Sequence, residues 1–511
     1  MSREEHGDPL PLRIASLVHA HFNALPAKSK PHILSDGSKE WIPMTGIVAM
    51  LSDGILNFSY RSGAKCLSAS QIPRCRGLVL HDCHAEILAI RAFNHWLMTE
   101  CHSILAEEAA GETNPATGSP NPSESKFIRK RDHHVTCEGQ CPPFEMQPNV
   151  RIYMYCTCAP CGDGSMELCM AAQEDATPWE VVRQNNSGTE NSLGDDNLLD
   201  GRAHFSLLGV VRRKPARTDA ESTRSKSCSD KLALRQVSSL LSWQTSRLLA
   251  LTENAYLAGL ILPEDEISRV ACDRAFGKNG RMAALVAQSW PSSSCERSVE
   301  YRFRPFQVLS VPAGKVRAMW QFAKPKPTTI RQLADGEMAA NGVTPRKSKP
   351  GNVSAVWTLA PSNTDKVLLP EKGSKSLPSL CGSKTGLYES IISGVKQGNK
   401  ASSPTARGAS ALSRAKMWAL LEKITDCEPS GEAEQKTAIS SGLSSRSPLG
   451  QPRRPAIYDF IKRGPTDEGD SRAARKHAIR HAQEVLKGWA PNTGDESWGL
   501  DVLIDTHKRK R

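Results

Sequence analysis

The sequence predicts an α/β fold, and three observations carry that expectation. "RIYMYCTCAP" at 151–160 has β-branched and aromatic residues closed by a proline, as a strand does. "HAEILAIRAFNHWLM" at 84–98 sets Ile87, Ile90 and Phe93, and again Leu88, Arg91 and His95, on shared helical faces. Segments of these two kinds alternate along the chain, which favours strands covered by helices. "HFSLLGVVRRKP" reads as a further strand that ends at Pro215. "CSDKLALRQVSSLLSWQTSRLLALT" at 228–252 and "SRAARKHAIRHAQEVLKGW" at 471–489 read as helices.

Apolar patterning covers 10–105, 127–182, 203–322, 353–396, 409–427 and 456–500. Between these blocks lie stretches rich in Pro, Gly and small polar residues, near 106–126, 183–201, 324–350, 397–408 and 429–455. Such composition predicts loops or disordered insertions. We therefore expect one domain over 10–500, assembled from distant blocks, and a basic tail over 501–511 that ends in "HKRKR". No repeat with a period of about 20–50 residues is evident.

The 511 residues carry a net charge of +12, which favours a polyanionic partner. No run of about 18 apolar residues suggests a membrane span, and the first residues lack a signal-peptide core. The expected location is the cytoplasm or the nucleus. The 15 cysteines, from Cys66 to Cys427, then point to metal or catalytic use of a few and burial of most.

In "LHDCHAEILAI" at 80–90, five side chains are able to bind a metal or move a proton: His81, Asp82, Cys83, His84 and Glu86. Hydrolytic zinc takes three protein ligands and leaves one position for water. His84 and Glu86, two apart, converge on one point only if the helix begins beside them. Asp82 fits an N-cap at such a start. The alternative is a capping cluster that does no chemistry.

"YCTCAPCGDGS" offers Cys156, Cys158 and Cys161, and "KSCSDKL" offers Cys228. The zinc nucleobase deaminases show H-x-E followed by P-C-x-x-C. Pro160–Cys161 supplies the P-C, but Gly164 stands where the second cysteine belongs. If Cys161 is a ligand, the other thiolate comes from elsewhere, and Cys228 is the best candidate. Pro160 and Ser227 each precede a cysteine where a helix looks set to start, and a helix N-terminus favours thiolate. Cys156 and Cys158 alternate on a strand and are expected in the core. "RDHHVTCEGQC", with His133, His134, Cys137 and Cys141, is a second possible zinc cluster together with Cys158, but its spacing is irregular.

Taken together, "RGLVLHDCHAEILAIRAF", "PCGDGSMEL" and "RRKPARTDAESTRSKSCSDKLALR" resemble the adenosine deaminases that act on RNA. "GAKC" at 63–66, "SAVWT" at 354–358, "GVKQG" at 394–398 and "SRAKMWALL" at 413–421 extend the resemblance over most of the ordered chain. It implies a cytidine-deaminase-like three-layer α-β-α core with a mixed sheet, a helical C-terminal extension and long insertions. The segment 214–231 is similar to the tRNA-specific branch, which deaminates adenosine 37 of alanine tRNA. The pattern starts too early to leave room for a dsRNA-binding domain ahead of it, which favours tRNA over duplex RNA.

The resemblance implies that His84, Cys161 and Cys228 hold Zn2+, that Glu86 shuttles protons, and that Lys65 lies near the RNA backbone. It also implies buried inositol hexakisphosphate, contacted by Arg91, Lys231, Tyr458, Lys462, Lys476 and Trp489, with Arg475 beside them. Ile90 and Leu234 stand where dsRNA-editing relatives place Arg, and Lys226 where Met is usual. His81 is expected to play a structural part, and Asp163 to orient the Cys161 turn. Arg74 and Arg76, Arg129 to Arg131, and Arg212 to Lys214 are the candidate basic surfaces for RNA. Other readings are a double-stranded RNA or mRNA adenosine deaminase, a cytidine or free-nucleoside deaminase, and a non-catalytic zinc-stabilised RNA-binding protein.

Overall fold

A computed structural model of the chain describes residues 8–33, 35, 39–51, 56–63, 65–110, 125–131, 141–172, 199–201, 207–214, 221–291, 299–325, 349–360, 386–426, 457–464 and 471–504. Eight strands make the main sheet: β1 (Met44–Met50), β2 (Leu56–Ser62), β3 (Arg151–Cys156), β4 (Leu257–Pro263), β5 (Gln307–Val311), β6 (Ser354–Thr358), β7 (Tyr388–Ile392) and β8 (Val395–Lys396). Their order is β5-β4-β3-β1-β2-β6-β7-β8. The β5–β4 and β4–β3 pairs are parallel, and the other pairs are antiparallel. The sheet is therefore mixed, as expected.

Side-chain alternation sends each strand's residues to both faces. From β3, Ile152 and Met154 enter one apolar cluster, while Tyr153 and Tyr155 enter another. The first cluster is covered by α2 (Ala85–Ala110), α4 (Cys228–Ser238), α5 (Arg269–Phe276) and α7 (Arg414–Asp426). The second is covered by α1 (Leu10–Ala24) and α6 (Ala313–Met319). The short α3 (Met166–Ala171) follows the Cys161 turn, while α8 (Tyr458–Arg463) and α9 (Ser471–Val485) belong to the helical C-terminal region. Helices thus lie on both faces of the sheet. No described helix is long and apolar enough to cross a membrane.

Several expectations change. The expected loop at 106 starts later, because α2 continues to Ala110. The helix expected over 228–252 stops at Ser238, since Ser239 takes φ 60°. Asn94 holds the chain in its new direction, donating to the Leu240 carbonyl at 2.9 Å and accepting from the Ser242 N–H at 2.5 Å. Of the strand expected over 204–215, only Arg212–Arg213 pairs among the described residues. The stretch 397–408 is a loop with defined turns: Gln397 N–H donates to the Ser390 carbonyl, and Lys396 N–H to that of Gly408. His133, His134 and Cys137 lie outside the described residues, as does the tail beyond 504.

Phe93 on α2 is 1% exposed within the larger cluster. Phe93→Ala is expected to cost about 3–5 kcal/mol through lost contacts and a residual cavity. A lowered thermal unfolding midpoint checks this.

Candidate metal centre

Three backbone devices converge on one point. α2 begins at Ala85, and the His84 carbonyl accepts the N–H groups of Ile87 and Leu88 at 3.1 and 3.0 Å. His84 is therefore the residue at the helix entrance, and Glu86 lies in the first turn. α4 begins at Cys228, with Ser227 as its N-cap accepting the Asp230 N–H at 3.1 Å. Cys161 sits on the turn that leaves β3, and helical structure resumes only at Asp163.

That turn is stitched to the start of α4. Ser229 N–H donates to the Cys161 carbonyl at 3.0 Å, and Ser229 Oγ donates to the Pro160 carbonyl at 3.1 Å while accepting the Gly164 N–H at 3.0 Å. Gly162 has φ 100°, and a Cβ there would lie 2.1 Å from Ser227 Oγ. Only glycine meets both demands. Asp163 is buried, accepting from Arg274 Nε at 2.9 Å and Gly209 N–H at 2.8 Å. It thus anchors the turn to α5.

His84 Nδ1 lies 3.7 Å from Cys161 Sγ and 3.6 Å from Cys228 Sγ. A tetrahedral zinc with bonds of about 2.1 Å to nitrogen and about 2.3 Å to sulfur spaces those atoms about 3.6 Å apart. The donor set fits that ion. Burial pushes the Cys228 thiol up, while Cys228, Lys214 and His84 hold the Cys161 thiol well below its usual range; the Cys228 N–H donates to Cys161 Sγ at 3.3 Å. Cysteine at position 164 has no room, because a Cβ there would lie 2.9 Å from Phe276 Cε2. The second sulfur comes from α4 instead.

Glu86 is 4% exposed, and its Oε2 has no hydrogen-bond partner among the described residues. Burial and the Cys161 sulfur raise its pKa, and His84 and Lys214 offset this only in part. Cys156 is buried and accepts from Thr45 Oγ1 at 3.3 Å, while Cys158 is half-buried.

Asp82 is not the helix cap. It accepts the His84 N–H at 3.0 Å from outside the helix, and its carboxylate is buried among cations. Lys214 Nζ lies 3.1 and 2.9 Å from its two oxygens, and Lys231 Nζ also bonds it. Burial pushes the Asp82 carboxyl up, but Lys214, Lys231 and His84 outweigh this and hold it well below the usual range. Lys214 also reaches Cys228 Sγ at 3.3 Å. Arg212 and Lys214 are 1% and 4% exposed, so they form no RNA surface. The charge pattern alone could not show that. Arg129 and Arg131 are partly engaged by Glu145, whereas Arg74 and Arg76 are exposed.

Arg91, Tyr458 and Lys462 come together behind the metal centre. Burial and Arg414 push the Arg91 pKa down. Tyr458 raises that of Lys462, but burial, Arg414, Arg463 and Arg91 bring it down overall. Arg235 joins this group. Burial, Arg475 and Arg91 lower it to about 9. Arg235 and Arg475 both donate to the Leu241 carbonyl at 3.0 Å. Lys231 lies toward Asp82. Lys476 donates to the Gly464 carbonyl at 2.6 Å, and Trp489 lies under Lys226, whose Nζ is 5.5 Å from the ring centroid. Lys65 is exposed and bonds Asn352. Sequence reasoning missed Arg235, although it lies one helical turn after Lys231, and Arg414, for which no local signal exists.

The chain matches the adenosine-deaminase (editase) domain family over residues 59–441. It is 36% identical over 299 residues to the "tRNA-specific adenosine deaminase 1" of Schizosaccharomyces pombe, which covers 58% of this chain and 66% of that protein. It is 31% identical over 267 residues to the protein of the same name in Saccharomyces cerevisiae, covering 51% of this chain and 60% of that one. The match to the "Double-stranded RNA-specific editase B2" of Rattus norvegicus is 27% identical and covers 29% of that protein. The alignments thus span less than two thirds of the tRNA-specific relatives.

Lys214→Met is expected to destabilise the fold by about 3–5 kcal/mol, because it removes one partner of a buried ion pair. Thermal unfolding checks this, and zinc competition titration should show weaker binding. Gly164→Cys restores the C-x-x-C spacing but should lower the unfolding midpoint without raising zinc affinity.

Proposed function

The chain belongs to the adenosine-deaminase (editase) domain family, and from that premise we propose that it hydrolyses adenosine to inosine in tRNA, at adenosine 37 of alanine tRNA. The observation that carries this reading is Glu86: buried, without a partner on Oε2 among the described residues, and beside the His84, Cys161 and Cys228 donor set. That both yeast relatives are tRNA-specific adenosine deaminases favours tRNA over duplex RNA as substrate. The layered arrangement agrees with a cytidine-deaminase-like core.

His84, Cys161 and Cys228 would hold the zinc ion. When bound, zinc supplies a Lewis acid that brings the pKa of a coordinated water toward neutrality. Glu86 accepts a proton from the attacking water, and its raised pKa suits it to give that proton back. It delivers protons to the purine ring nitrogen and to the leaving amine at carbon 6. Adenosine and water become inosine and ammonia. The base reaches this buried point by flipping from the anticodon loop, where stacking is already weakened. Lys65, exposed at the surface, would contact the RNA backbone, and phosphate contacts would make binding salt-sensitive.

The cations behind the site fit inositol hexakisphosphate. Burial lowers the pKa values of Arg91, Arg235, Arg475 and Lys462, and neighbouring cations lower those of Arg91, Arg235 and Lys462 further. A polyphosphate offers each a charge-assisted partner and removes that cost.

Glu86→Ala is expected to fold, to bind about one zinc, and to yield no inosine. The measurement is incubation with transcribed alanine tRNA, followed by sequencing for A-to-G changes. Undiminished inosine in the variant removes Glu86 from its role. Activity on cytidine with none on tRNA adenosine overturns the substrate.

A further inference from the structure

Asp495 lies far from the metal centre in sequence, yet it is 4% exposed and tied to the segment that leads into α2. Its Oδ1 accepts the Gly77 N–H at 2.9 Å. Its Oδ2 lies 2.9 Å from His81 Nε2 and 3.3 Å from Arg414 Nη1. Arg414 Nη2 in turn donates to His81 Nδ1 at 3.1 Å. An arginine nitrogen only donates, so Nδ1 is the acceptor and Nε2 carries the proton given to Asp495. All ring positions able to hydrogen-bond are then used in one tautomer.

The same strap is packed as well as bonded. Trp498 fills the space over Gly77, where a Cβ would lie 2.2 Å from the indole. Trp498 stacks on Tyr458 at 4.4 Å, and the Asp495 carbonyl accepts from the Trp498 indole at 3.1 Å and from Arg414 at 3.0 Å. His81 precedes His84 by three residues, and the chain between them is held by the Leu67 N–H to His81 carbonyl bond at 2.9 Å and the Cys83 N–H to Lys65 carbonyl bond at 2.8 Å. Little slack remains between the His81 ring and the His84 backbone. The donor atoms of Cys75, His81 and Asp495 do lie within 4.8 Å of one another, but the Arg414 guanidinium already supplies the positive charge there.

We propose that Asp495, acting through the His81 ring, is a positioning residue that sets where His84 stands for the metal. Arg414 locks the tautomer that makes this possible. The proposal rests on the metal-site part of the reading above, and only its kinetic arm rests on the deaminase activity.

The test compares His81→Leu, His81→Gln and Asp495→Asn with the wild-type full chain. Glutamine keeps an N–H donor toward Asp495; leucine keeps bulk but no donor; asparagine at 495 turns its amide donor toward the Nε2 proton or forces the other tautomer. Zinc affinity by competition titration and the visible spectrum of the cobalt-loaded protein are read first. His81→Leu and Asp495→Asn should weaken zinc binding about 10–100-fold and shift the cobalt bands, and His81→Gln should recover most of both. In tRNA deamination, kcat should fall with KM little changed. Wild-type zinc affinity and cobalt spectra in His81→Leu and Asp495→Asn overturn the proposal, as does a loss in His81→Gln equal to that in His81→Leu. A variant too unstable to load is replaced by Asp495→Glu, whose longer carboxylate displaces the ring and should shift the same bands. If no protein in the set makes inosine, the deaminase reading fails while the metal ranking still decides this one.

Discussion

The site depends on one buried carboxylate. Asp82 is 6% exposed and receives Lys214 from one side, Lys231 from another, and the His84 N–H from the chain itself. A carboxylate in that position is tolerated only with cations and donors around it. It thereby ties the α2 entrance, which carries His84 and Glu86, to the segment before α4 and to α4 itself, which carries Cys228. Ser225 Oγ and Cys66 Sγ complete the ring of donors at 3.3 and 3.2 Å. Lys214 serves twice, bonding Asp82 and Cys228, so the charge network and the metal donors share a member.

Around that point the fold separates two kinds of work. The mixed sheet and its apolar clusters supply rigidity. The metal donors sit at the ends of regular elements, where the backbone changes direction and side chains converge. The helix starts serve geometry more than dipole: His84 stands before the first turn of α2, so that it and Glu86 point to a common space. Among the described residues, the C-terminal elements add no donor to the His84, Cys161 and Cys228 set. They enclose cations that repel one another and brace the loop before α2.

What was legible in the sequence followed range of interaction. His84 and Glu86 were readable because the helix start that joins them is written within a few residues. Strand β3 and helices α2 and α9 were readable from periodicity. The donor role proposed for Cys161 became readable only with the family motifs, and the crowding of position 164 by Phe276, 2.9 Å from a Cβ placed there, is something no local pattern shows. Asp82 was misjudged as a cap because its partners are 132 and 149 residues away. Arg212 and Lys214 looked like surface charges because composition carries no burial. The end of α4 was missed because Asn94, on another helix, redirects the chain after Ser238.

The two sulfurs of the metal set are 67 residues apart in the chain. Their meeting is fixed by the Ser229 and Gly162 contacts at either end, with Lys214 from the span between them bonded to Cys228. The entropy of closing a flexible loop grows only with the logarithm of its length, about 0.6 kcal/mol for each doubling. Length changes in the span between Cys161 and Cys228 that leave Asp163, Arg212 and Lys214 in place thus carry a small closure cost, while a local C-x-x-C would hold its spacing rigid. A divided cysteine pair lets the wall beside the candidate metal site vary in sequence and size without moving its donor atoms.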